Sequence, residues 1–402
     1  MISIDDALAA YARHVQAGPA HSLGLSQALG RVLAAAPVAS TDLPMFTQSA
    51  VDGYALRSAD VASASEAQPV ALRIVGEVAA GSGSLPTVGP GEAVRIFTGG
   101  TLPPGADTVA RQEIVLRAGD QLTLVNALPV HEDTRLQGEE LRSGDVLAQP
   151  GRRLSPGGIA ALAMAGIGTV SVYRAPRIAL LVTGDEVVPP GGAIAPGQIF
   201  DANGPLLHAW FQARGGAVPE LRYVADTLGA VITALREALA DADAVITTGG
   251  VSVGDKDFLR EAAASLGVEE RFWRVAQKPG MPLYFGQREQ QFILGLPGNP
   301  GAVLVGLEVH AARLLARLEG ETPPGPHWQT GTLSAAFKGD QKRDLLARMR
   351  VGTDDSGRAR LDPLGRQGSH MLSNLIEANV IVRVPPGEHA VGSTLPFIPL
   401  TT

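Results

Sequence analysis

The sequence predicts a multidomain protein of the α/β plus β class, and three observations support this prediction. The chain has 402 residues, more than a single hydrophobic core usually serves. From residue 177 onward, apolar strands alternate with amphipathic helices, which is typical of a three-layer α/β domain with a mainly parallel sheet. Short apolar runs separated by Gly, Pro and Asp stand on both sides of that segment and indicate two smaller β domains.

The composition limits the function classes. Lys and Arg number 33 against 40 Asp and Glu, so the net charge is −7, and no basic block is present that would favour nucleic acid as a partner. The chain has no cysteine, which excludes disulfides, iron–sulfur clusters and thiolate zinc sites and favours oxygen-ligated cations. Asp5 and Asp6 stand where a secretory signal carries positive charge, so we expect a cytoplasmic protein.

The first predicted element is a helix that begins after Ser3. Apolar residues recur at helical spacing from Ile4 to Val15, and acidic residues follow the capping serine. A second helix is expected over Leu25 to Ala36, where Pro37 would end it. Residues 41–55 have no usable period and are expected to form a long irregular loop.

A small β domain is predicted next, because residues 70–147 contain short strand-like runs such as VALRIV and AVRIF. We assign residues 50–141 to this domain, inserted into an irregular N-terminal helical domain made of residues 1–49 and 142–173. The 20 residues Leu154–Tyr173 carry no charge. Their glycines and proline argue against a membrane span, so we expect a short buried helix followed by a strand.

The α/β domain is expected over residues 174–322. Its predicted order is strand RIALLVT, helix Gly204–Ala213, strand VPELRYV, helix Leu228–Leu239, strand AVITT and helix Phe258–Ser265. Two strands between Pro282 and Leu294 and a long helix over Val303–Leu318 complete it. A Pro/Gly linker then leads to a C-terminal β-barrel-like domain over residues 326–402.

Candidate ligand-binding residues follow the predicted strands. In an open parallel sheet, ligands bind beyond the carboxyl ends of the strands, so residues that follow different strands meet at one edge. The segments at this edge are Thr183–Glu186, Asp226 with Thr227, Thr247–Gly250 followed by VSVGDKD, and Leu296–Pro300. Four strand ends therefore carry glycine or acidic residues.

The run TTGGVSVGDKD is the candidate oxyanion-binding turn. Gly249 and Gly250 stand between a strand and a helix, where backbone N–H groups and the helix dipole can contact an anion. Neither GxGxxG nor the P-loop pattern is present, so the standard dinucleotide and P-loop sites are not supported. A tight turn without a ligand is the alternative.

Four acidic residues are the candidate metal ligands. Asp185, Glu186, Asp226 and Asp257 are expected to gather at the strand ends and to suit Mg²⁺. N-capping of the following helices by Asp226 and Asp257 is the alternative. Of the eight histidines, we assign only His208 to the interior of the α/β segment, so Mg²⁺ is favoured over zinc.

Basic residues stand beside the same turns. Asp255 and Asp257 flank Lys256, while Arg274 and Lys278 are four residues apart in a segment without helical pattern. The latter two can meet an anionic ligand at the acidic edge. Solvated surface charge is the alternative.

Six motifs in order make the sequence similar to a known family. They are SAVDGYA (Ser49–Ala55), RIFTGG (Arg95–Gly100), TGDE (Thr183–Glu186), GGVSVGDKD (Gly249–Asp257), KPGMP (Lys278–Pro282) and LPGNP (Leu296–Pro300). Together they resemble the molybdopterin molybdenumtransferase family, the bacterial MoeA proteins and the E domain of gephyrin, over essentially the whole chain. The resemblance implies Mg²⁺-dependent insertion of molybdate into adenylylated molybdopterin with release of AMP. It also implies a homodimer whose active site combines the α/β domain of one subunit with the first two domains of the other.

The resemblance further implies roles for individual residues. Asp52 and Thr98 would act from the other subunit's side of the cleft, and Glu186, Asp226 and Asp257 would complete the catalytic set. The implied substrate-binding residues are Gly249, Gly250, Ser252, Arg274, Lys278, Pro297, Pro300, Arg135 and Glu140. The sequence departs from the family twice. Met281 replaces the second lysine of KPGKP, and Glu140 in TRLQGEEL replaces an aspartate.

Two other functions fit parts of the pattern. A molybdopterin adenylyltransferase shares the glycine-rich turn and the acidic residues, but that family usually has a single small domain. A non-catalytic scaffold would follow from the receptor clustering of gephyrin, whose long linker and second α/β domain this chain lacks. The sequence leaves molybdate and tungstate open. The adenylyltransferase and other cofactor-biosynthesis proteins are expected partners, whereas nucleic acid and membranes are not.

Overall fold

The N-terminal helix α1 (Ile4–His14) begins where the sequence predicts it. The computed structural model describes residues 1–215, 217–252, 254 and 257–401. Ser3 Oγ accepts a hydrogen bond from the Asp6 N–H at 3.0 Å, and the Asp6 carboxylate accepts from the Ser3 N–H in return, which forms a capping box. The buried face of α1 packs into the core of the α/β domain through Ile4, Ala7 and Tyr11. This helix therefore contacts the domain that carries the candidate site.

The segment after β1 (Ala20–Gly24) is not the predicted helix. Only the short 3₁₀ turn Leu25–Gln27 is helical within Leu25–Ala36. Gly30 has φ +71°, which interrupts a right-handed helix, and the next residues pair with distant segments through the bridges Val32 to Arg153 and Leu33 to Val172. The helix prediction was wrong because these long-range pairings outweigh the local apolar pattern.

The small β domain is a six-stranded sheet in the order β6-β3-β5-β4-β8-β7, antiparallel except between β4 and β5. Its elements and a flanking pair are β2 (Gln48–Ser49), β3 (Gly53–Leu56), α2 (Ser58–Val61), β4 (Val70–Val78), β5 (Glu92–Ile96), β6 (Thr108–Arg111), β7 (Val115–Ala118), β8 (Gln121–Leu124) and β9 (Thr134–Arg135). Strands β2 and β3 fall where the sequence predicted an irregular loop. They form because their partners, β9, β5 and β6, come from later in the chain.

The charge-free segment contains α3 (Pro156–Met164) and β10 (Thr169–Tyr173), the helix and strand that were predicted. Ser155 Oγ caps α3 by accepting from the Gly158 N–H at 3.2 Å. The helix is not buried as expected, because Leu162 is its single buried residue. No helix in the described ranges has the length and apolar character needed to cross a bilayer.

The α/β domain is built on a six-stranded sheet in the order β14-β11-β15-β19-β18-β16. Its elements are β11 (Ile178–Thr183), β12 (Val187–Val188), β13 (Ile199–Phe200), α4 (Asn203–Ala213), β14 (Leu221–Val224), α5 (Leu228–Asp241), β15 (Ala244–Thr248), α6 (Leu259–Ser265), β16 (Glu269–Trp273), β17 (Gln277–Lys278), β18 (Tyr284–Arg288), β19 (Gln291–Leu296), α7 (Pro300–Val305) and α8 (Ala312–Leu318). Strands β14, β11, β15 and β19 are parallel, which confirms the mainly parallel α/β prediction, and β18 and β16 run antiparallel. Helices cover both faces of the sheet in two apolar cores.

The long helix predicted over Val303–Leu318 begins earlier, at Pro300, and is interrupted. A π-helical turn, Gly306–Ala311, joins α7 to α8. All six of its residues are buried, including Glu308 and His310. Such turns place an extra residue in a helix and often stand at functional positions.

The C-terminal region forms a closed barrel of five strands, in the order β22-β23-β20-β26-β24 and back to β22. Its strands, with a short flanking pair, are β20 (Gln329–Leu333), β21 (Phe337–Lys338), β22 (Asp344–Thr353), β23 (Ala359–Pro363), β24 (Val380–Val384), β25 (Glu388–His389) and β26 (Thr394–Pro399). Strand β17 of the α/β domain pairs in parallel with β22, which sets Lys278 opposite Leu345. The barrel is thereby fixed beside the carboxyl edge of the α/β sheet.

Candidate active site

A cavity of about 330 Å³ lies between the α/β domain and the barrel. Three walls come from loops that the sequence singled out, after β15, after β17 and after β19. The fourth comes from the barrel. The lining residues are Gly250, Val251, Ser252, Asp257, Gln277, Lys278, Pro279, Gly280, Met281, Pro282, Pro297, Gly298, Asn299, Ala302, Arg343, Gln367, Gly368 and Ser369.

The cavity brings together only part of the predicted catalytic and substrate-binding residues. Gly250, Ser252, Asp257, Lys278 and Pro297 line the cavity. Gly249 and Asp226 lie next to it, in a small cleft that also contacts Gly250. The barrel residues Arg343 and Gln367–Ser369 were missed, because their place at the cavity depends on tertiary packing and no local pattern marks it.

The glycine turn after β15 is shaped by close packing. Gly249 and Gly250 have φ +88° and +66°, values that favour glycine. A Cβ on Gly249 would lie 2.5 Å from Thr183 Oγ1, so a larger residue would clash with the end of β11. The Gly249 N–H donates to the Leu296 carbonyl at 3.0 Å. The loops after β11, β15 and β19 are thus fixed against one another at the predicted edge.

The positive charge of the cavity comes from Lys278 and Arg343. Lys278 Nζ lies 3.1 Å from Asp340 Oδ2, and Arg343 Nε lies 3.5 Å from Asp340 Oδ1. The pKa of Asp340 is lowered, first by a hydrogen bond from the Lys342 N–H and then by the two cationic side chains. The carboxylate is therefore ionised at neutral pH, and both cations have an anionic oxygen within reach.

Met281, the first departure from the family pattern, lies on the same wall. Its Sδ is 3.7 Å from Arg343 Nη1. A second cavity, of about 520 Å³, shares Lys278, Met281 and Arg343 with the first and continues along residues 339–342. Lys278 and Arg343 therefore stand where the two cavities meet.

Among the four predicted metal ligands, Asp185 and Asp226 contact each other, whereas Glu186 is exposed in the loop after β11. The Asp226 N–H donates to Asp185 Oδ1 at 3.1 Å, and the Asp185 N–H lies 3.3 Å from Asp226 Oδ2. Asp257 instead accepts from the Gly254 N–H at 2.6 Å and faces the cavity. Among residues 1–215, 217–252, 254 and 257–401, no three His, Asp or Glu side chains are close enough to hold a metal ion. Asp255 and Lys256 lie outside the described residues.

The capping alternative for Asp226 and Asp257 is wrong. Thr227 is the N-cap of α5, and its Oγ1 accepts from the Ala230 N–H at 3.3 Å. The residue before α6 is Phe258, which has no side-chain cap. Each aspartate stands one residue too early to cap its helix.

Asp52 and Thr98, predicted to act from the other side of the cleft, contact each other in the small β domain. Asp52 Oδ1 accepts from both the N–H and the Oγ1 of Thr98, each at 2.8 Å. The hydrogen bond from the Thr98 N–H is the largest cause of the lowered pKa of Asp52. Strand β2 lies between them and Arg135, because Gln48 pairs with Arg135 and Ser49 exchanges backbone hydrogen bonds with Gly99 and Gly100.

Asp52 and Thr98 are not among the residues that line the cavity. No hydrogen bond or ion pair joins this Asp52 group to the cavity-lining residues in the ranges the structure describes. Glu140 is exposed and donates its N–H to the Leu43 carbonyl, also away from the cavity. The predicted site residues therefore fall on different domains, and their roles stay predictions.

Arg274 and Pro300 support the cavity without lining it. The Arg274 guanidinium stacks 4.1 Å from the ring centre of Trp273, whose indole N–H donates to the Val251 carbonyl at 2.9 Å. Pro300 occupies the first turn of α7, where its missing N–H costs no hydrogen bond.

The histidine assignment needs a correction. His208 is exposed on α4, whereas His310 of the π turn is fully buried. His310 was not predicted, although the apolar residues around it in the predicted long helix indicate a buried position.

Three family models match the chain in order. The MoeA N-terminal region (domain I and II) matches residues 2–166, a probable molybdopterin binding domain matches residues 179–317, and the MoeA C-terminal region (domain IV) matches residues 330–400. The first and last of these have no place in a single-domain adenylyltransferase.

Relatives and solved structures agree with these matches. A molybdopterin molybdenumtransferase of Staphylococcus aureus is 32% identical over 399 residues, which cover 99% of this chain and 95% of that protein. One of Staphylococcus epidermidis is 33% identical over 366 residues, covering 91% of this chain and 87% of that protein. The crystal structure of the molybdopterin biosynthesis MoeA protein from Pyrococcus horikoshii has a TM-score of 0.83 at 25% identity, over 99% of this chain and 100% of that one.

Proposed function

The chain belongs to the MoeA family of molybdopterin molybdenumtransferases, and from this premise we propose that it inserts molybdate into adenylylated molybdopterin, with Mg²⁺, and releases AMP. It is a transferase of molybdenum cofactor biosynthesis, as its relatives are named. The proposed reaction is supported by the cavity of about 330 Å³, which is lined by Lys278 and Arg343 beside the glycine turns of the α/β sheet.

The charges of the cavity suit a tetrahedral oxyanion. Molybdate is a dianion, and charge-assisted hydrogen bonds from ammonium and guanidinium groups are the strongest that a protein can offer it. Both Lys278 and Arg343 already contact the oxygens of one carboxylate, Asp340. Their placement around the two oxygens of one carboxylate supports molybdate binding at this wall. The molybdate would replace Asp340 as the partner of Lys278 and Arg343.

The reaction needs positioning and charge neutralisation more than a protein nucleophile. Adenylylated molybdopterin and molybdate are both anions, so holding them side by side lowers the barrier that their repulsion creates. Positive charge and backbone N–H groups near the leaving AMP stabilise the charge that develops there. Gly250 and Gly298, which line the cavity, let backbone approach the substrate without a side chain between.

Mg²⁺ is part of the proposal, and the donors at the strand ends suit it. Asp185 and Asp226 provide carboxylate oxygens at the ends of neighbouring strands, the ligands that this ion prefers. Since the described residues hold no group of three metal-binding side chains, one or two carboxylates and the substrate phosphates would share the ion. When bound, Mg²⁺ neutralises charge on the phosphates.

We also propose a homodimer in which the Asp52 group of one subunit meets the cavity of the other. The two groups lie on different domains of one chain, and Asp52 and Thr98 do not line the cavity. This supports the arrangement, because the family resemblance places residues of both groups in one active site. An unpaired apolar surface around α3 supports it further. We define this α3 surface by Val38, Val146 and Met164, whose exposed fractions are 48, 50 and 53%. The cytoplasmic location and the absence of nucleic-acid and membrane partners stay predictions, as does the adenylyltransferase as supplier of the substrate.

A product assay tests the proposed reaction. Purified protein is incubated with adenylylated molybdopterin, molybdate and Mg²⁺, and AMP release is measured together with the mass of the pterin product. We expect AMP and a pterin that has gained molybdenum, and we expect both to be lost in excess chelator. A parallel reaction with tungstate decides between the two oxyanions. Undiminished insertion in chelator would contradict the Mg²⁺ role, and an unchanged pterin would contradict the proposed reaction.

A further inference from the structure

Three polar side chains form a hydrogen-bonded network inside the apolar core of the α/β domain. Tyr11 of α1, Gln277 of β17 and His310 of the π turn are each 0% exposed. The Tyr11 hydroxyl lies 3.3 Å from His310 Nδ1, and His310 Nε2 lies 2.9 Å from Gln277 Oε1. Gln277 Nε2 donates to the Gly280 carbonyl at 3.1 Å. We call these three side chains the buried network.

The Gly280 carbonyl determines which atom donates and which accepts in each hydrogen bond of the buried network. A carbonyl only accepts hydrogen bonds, so the amide nitrogen of Gln277 faces Gly280 and its oxygen faces His310. His310 Nε2 therefore carries the ring proton, and Nδ1 accepts from the Tyr11 hydroxyl. All donors point the same way along the network, from α1 toward Gly280.

His310 keeps this arrangement at physiological pH. Burial among apolar groups lowers its pKa to about 3, so the ring stays neutral. The two ring nitrogens have fixed and different partners, which holds a single tautomer. The buried network is thus a permanent link between α1 and Gly280, with no change of protonation in the neutral range.

The last hydrogen bond of the network reaches the wall of the active-site cavity. Gln277, Lys278, Gly280 and Met281 all line that cavity. Gly280 has φ +89°, so the segment turns sharply here. The Val275 N–H donates to the Met281 carbonyl at 3.0 Å. The network, that bond, the Arg274 N–H bond to the Leu283 carbonyl and the pairing of β17 with β22 together tie the turn to the core.

Packing alone does not explain why polar side chains occupy this apolar part of the core. The Tyr11 ring packs edge-on against Phe272 and Phe285, a place where apolar side chains would avoid the cost of burying polar groups. Satisfied polar networks in a core specify one geometry more sharply than apolar packing does. The geometry specified here is that of the cavity wall.

We propose that His310 is a positioning residue, which through Gln277 holds the segment Lys278–Pro282 in the place where it meets the oxyanion substrate. The effect on catalysis rests on the proposed function. The effect on the segment itself does not, because it follows from the hydrogen bonds alone.

Four variants test this role. His310→Phe keeps an aromatic ring and removes both hydrogen bonds, and Gln277→Met removes the bond to Gly280 should the first variant fail to fold. His310→Gln keeps a donor near the Nε2 position and is the conservative variant. Tyr11→Phe is the matched control, because it removes a buried hydrogen bond on the side of His310 away from the cavity.

Two readouts are measured on the full-length protein. Hydrogen exchange by mass spectrometry follows residues 276–284, with strand β19 as the internal reference. Steady-state kinetics with adenylylated molybdopterin gives KM for molybdate and kcat separately. For His310→Phe and Gln277→Met we expect faster exchange confined to residues 276–284 and a KM about tenfold higher, with kcat changed by less than about threefold, the effect typical of a lost outer hydrogen bond behind a ligand. His310→Gln and Tyr11→Phe should stay within about twofold of the wild type.

Different outcomes contradict the positioning role of His310 and the proposed reaction. If His310→Gln is as impaired as His310→Phe, or if Tyr11→Phe gives the same local exchange, the network acts through packing or stability and the proposal is overturned. Unchanged exchange in both His310→Phe and Gln277→Met overturns it as well. If the wild type shows no molybdate insertion, the proposed function fails and the exchange results alone decide the positioning role.

Discussion

At the scale of single residues, the proposed binding of molybdate in the cavity depends on Lys278 and Arg343. They approach Asp340 from two parts of the fold, because Lys278 lies in β17 and Arg343 directly precedes β22 of the barrel. Neither is deeply buried, since their side chains are 54 and 28% exposed. A ligand can therefore reach both.

Lys278→Met should weaken molybdate binding, because it removes a charged donor from the oxyanion. Hydrogen bonds to charged groups contribute about 1.5–3 kcal/mol, which corresponds to a loss of affinity of about tenfold to a hundredfold. Isothermal titration calorimetry measures it. Lys338→Met, which removes a lysine 74% exposed and paired with Glu388 on the barrel, is the matched control and should bind as the wild type does. Equal affinities for the two variants would remove Lys278 from the site.

His310 should make the stability of the protein depend on pH. Its pKa is lowered to about 3 in the folded state, whereas an unfolded histidine titrates near 6.5. Below pH 6.5 the unfolded chain binds a proton that the folded protein excludes. The contribution of neutral His310 to the free energy of unfolding is therefore complete above pH 6.5 and is lost progressively toward pH 3. At pH 5 the loss is about 2 kcal/mol.

Urea unfolding of the wild type and of His310→Gln at pH 7 and pH 5 measures this contribution. The glutamine variant lacks the titrating ring, so its free energy of unfolding should fall about 2 kcal/mol less between the two pH values than that of the wild type. A difference between the proteins that is the same at both pH values would show that His310 is not held neutral by the fold.

Local sequence patterns could predict the residues at strand ends and could not predict the rest. Gly250, Asp257 and Pro297 follow buried strands, and the geometry of a parallel sheet brings such positions to one edge. Arg343 and Ser369 reach the same cavity because β17 pairs with β22, a contact between segments more than sixty residues apart. His310 could not be predicted from strand ends, because it lies in the π turn between α7 and α8.

At the scale of elements, α3 was correctly predicted as a helix and wrongly predicted to be buried. The absence of charge in this segment indicated a buried helix, yet Leu162 is its single buried residue. Val38 and Val146 pair in a β-bridge, and Ser40 donates to the carbonyl of Ala165, the residue after Met164. Val38, Val146 and Met164 therefore stand on segments that contact one another, and their exposed apolar side chains suit contact with a second copy of the chain.

Met164→Glu should weaken the dimer, because it places a charge in the α3 surface and buries it on association. We expect sedimentation equilibrium to give a mass near 41.6 kDa at concentrations where the wild type gives about twice that value. Leu116→Glu, at a position 71% exposed on the small β domain, should leave the dimer intact. A dimeric Met164→Glu protein would exclude this surface from the interface.

The elements that could be predicted were those with strong local periodicity. The alternation of strands and helices from β11 to α6 was found, since each apolar strand there is followed by an amphipathic helix. The predicted helix over Leu25–Ala36 failed because Gly30 and the long-range bridges decide the backbone there. The division of the chain into residues 1–49 with 142–173, 50–141, 174–322 and 326–402 stays a prediction.

At the scale of the whole molecule, the proposed active site is made of two groups of residues on different domains. The small β domain holds Asp52 against Thr98, and the α/β domain with the barrel forms the cavity. Family membership makes both groups candidates for one active site. We propose that a second subunit brings them together.

Mixing two inactive variants tests this claim most directly. Asp52→Asn and Glu186→Gln each replace a carboxylate by an isosteric amide, so each should fold and lose turnover. After subunit exchange at equal concentrations, half of the dimers are mixed, and each mixed dimer has one site with both native carboxylates if the two residues act across the interface. AMP release should then recover to about a quarter of the wild-type rate, while either variant mixed with the double variant should stay inactive. No recovery after exchange has been verified by mass spectrometry would contradict an active site shared between subunits.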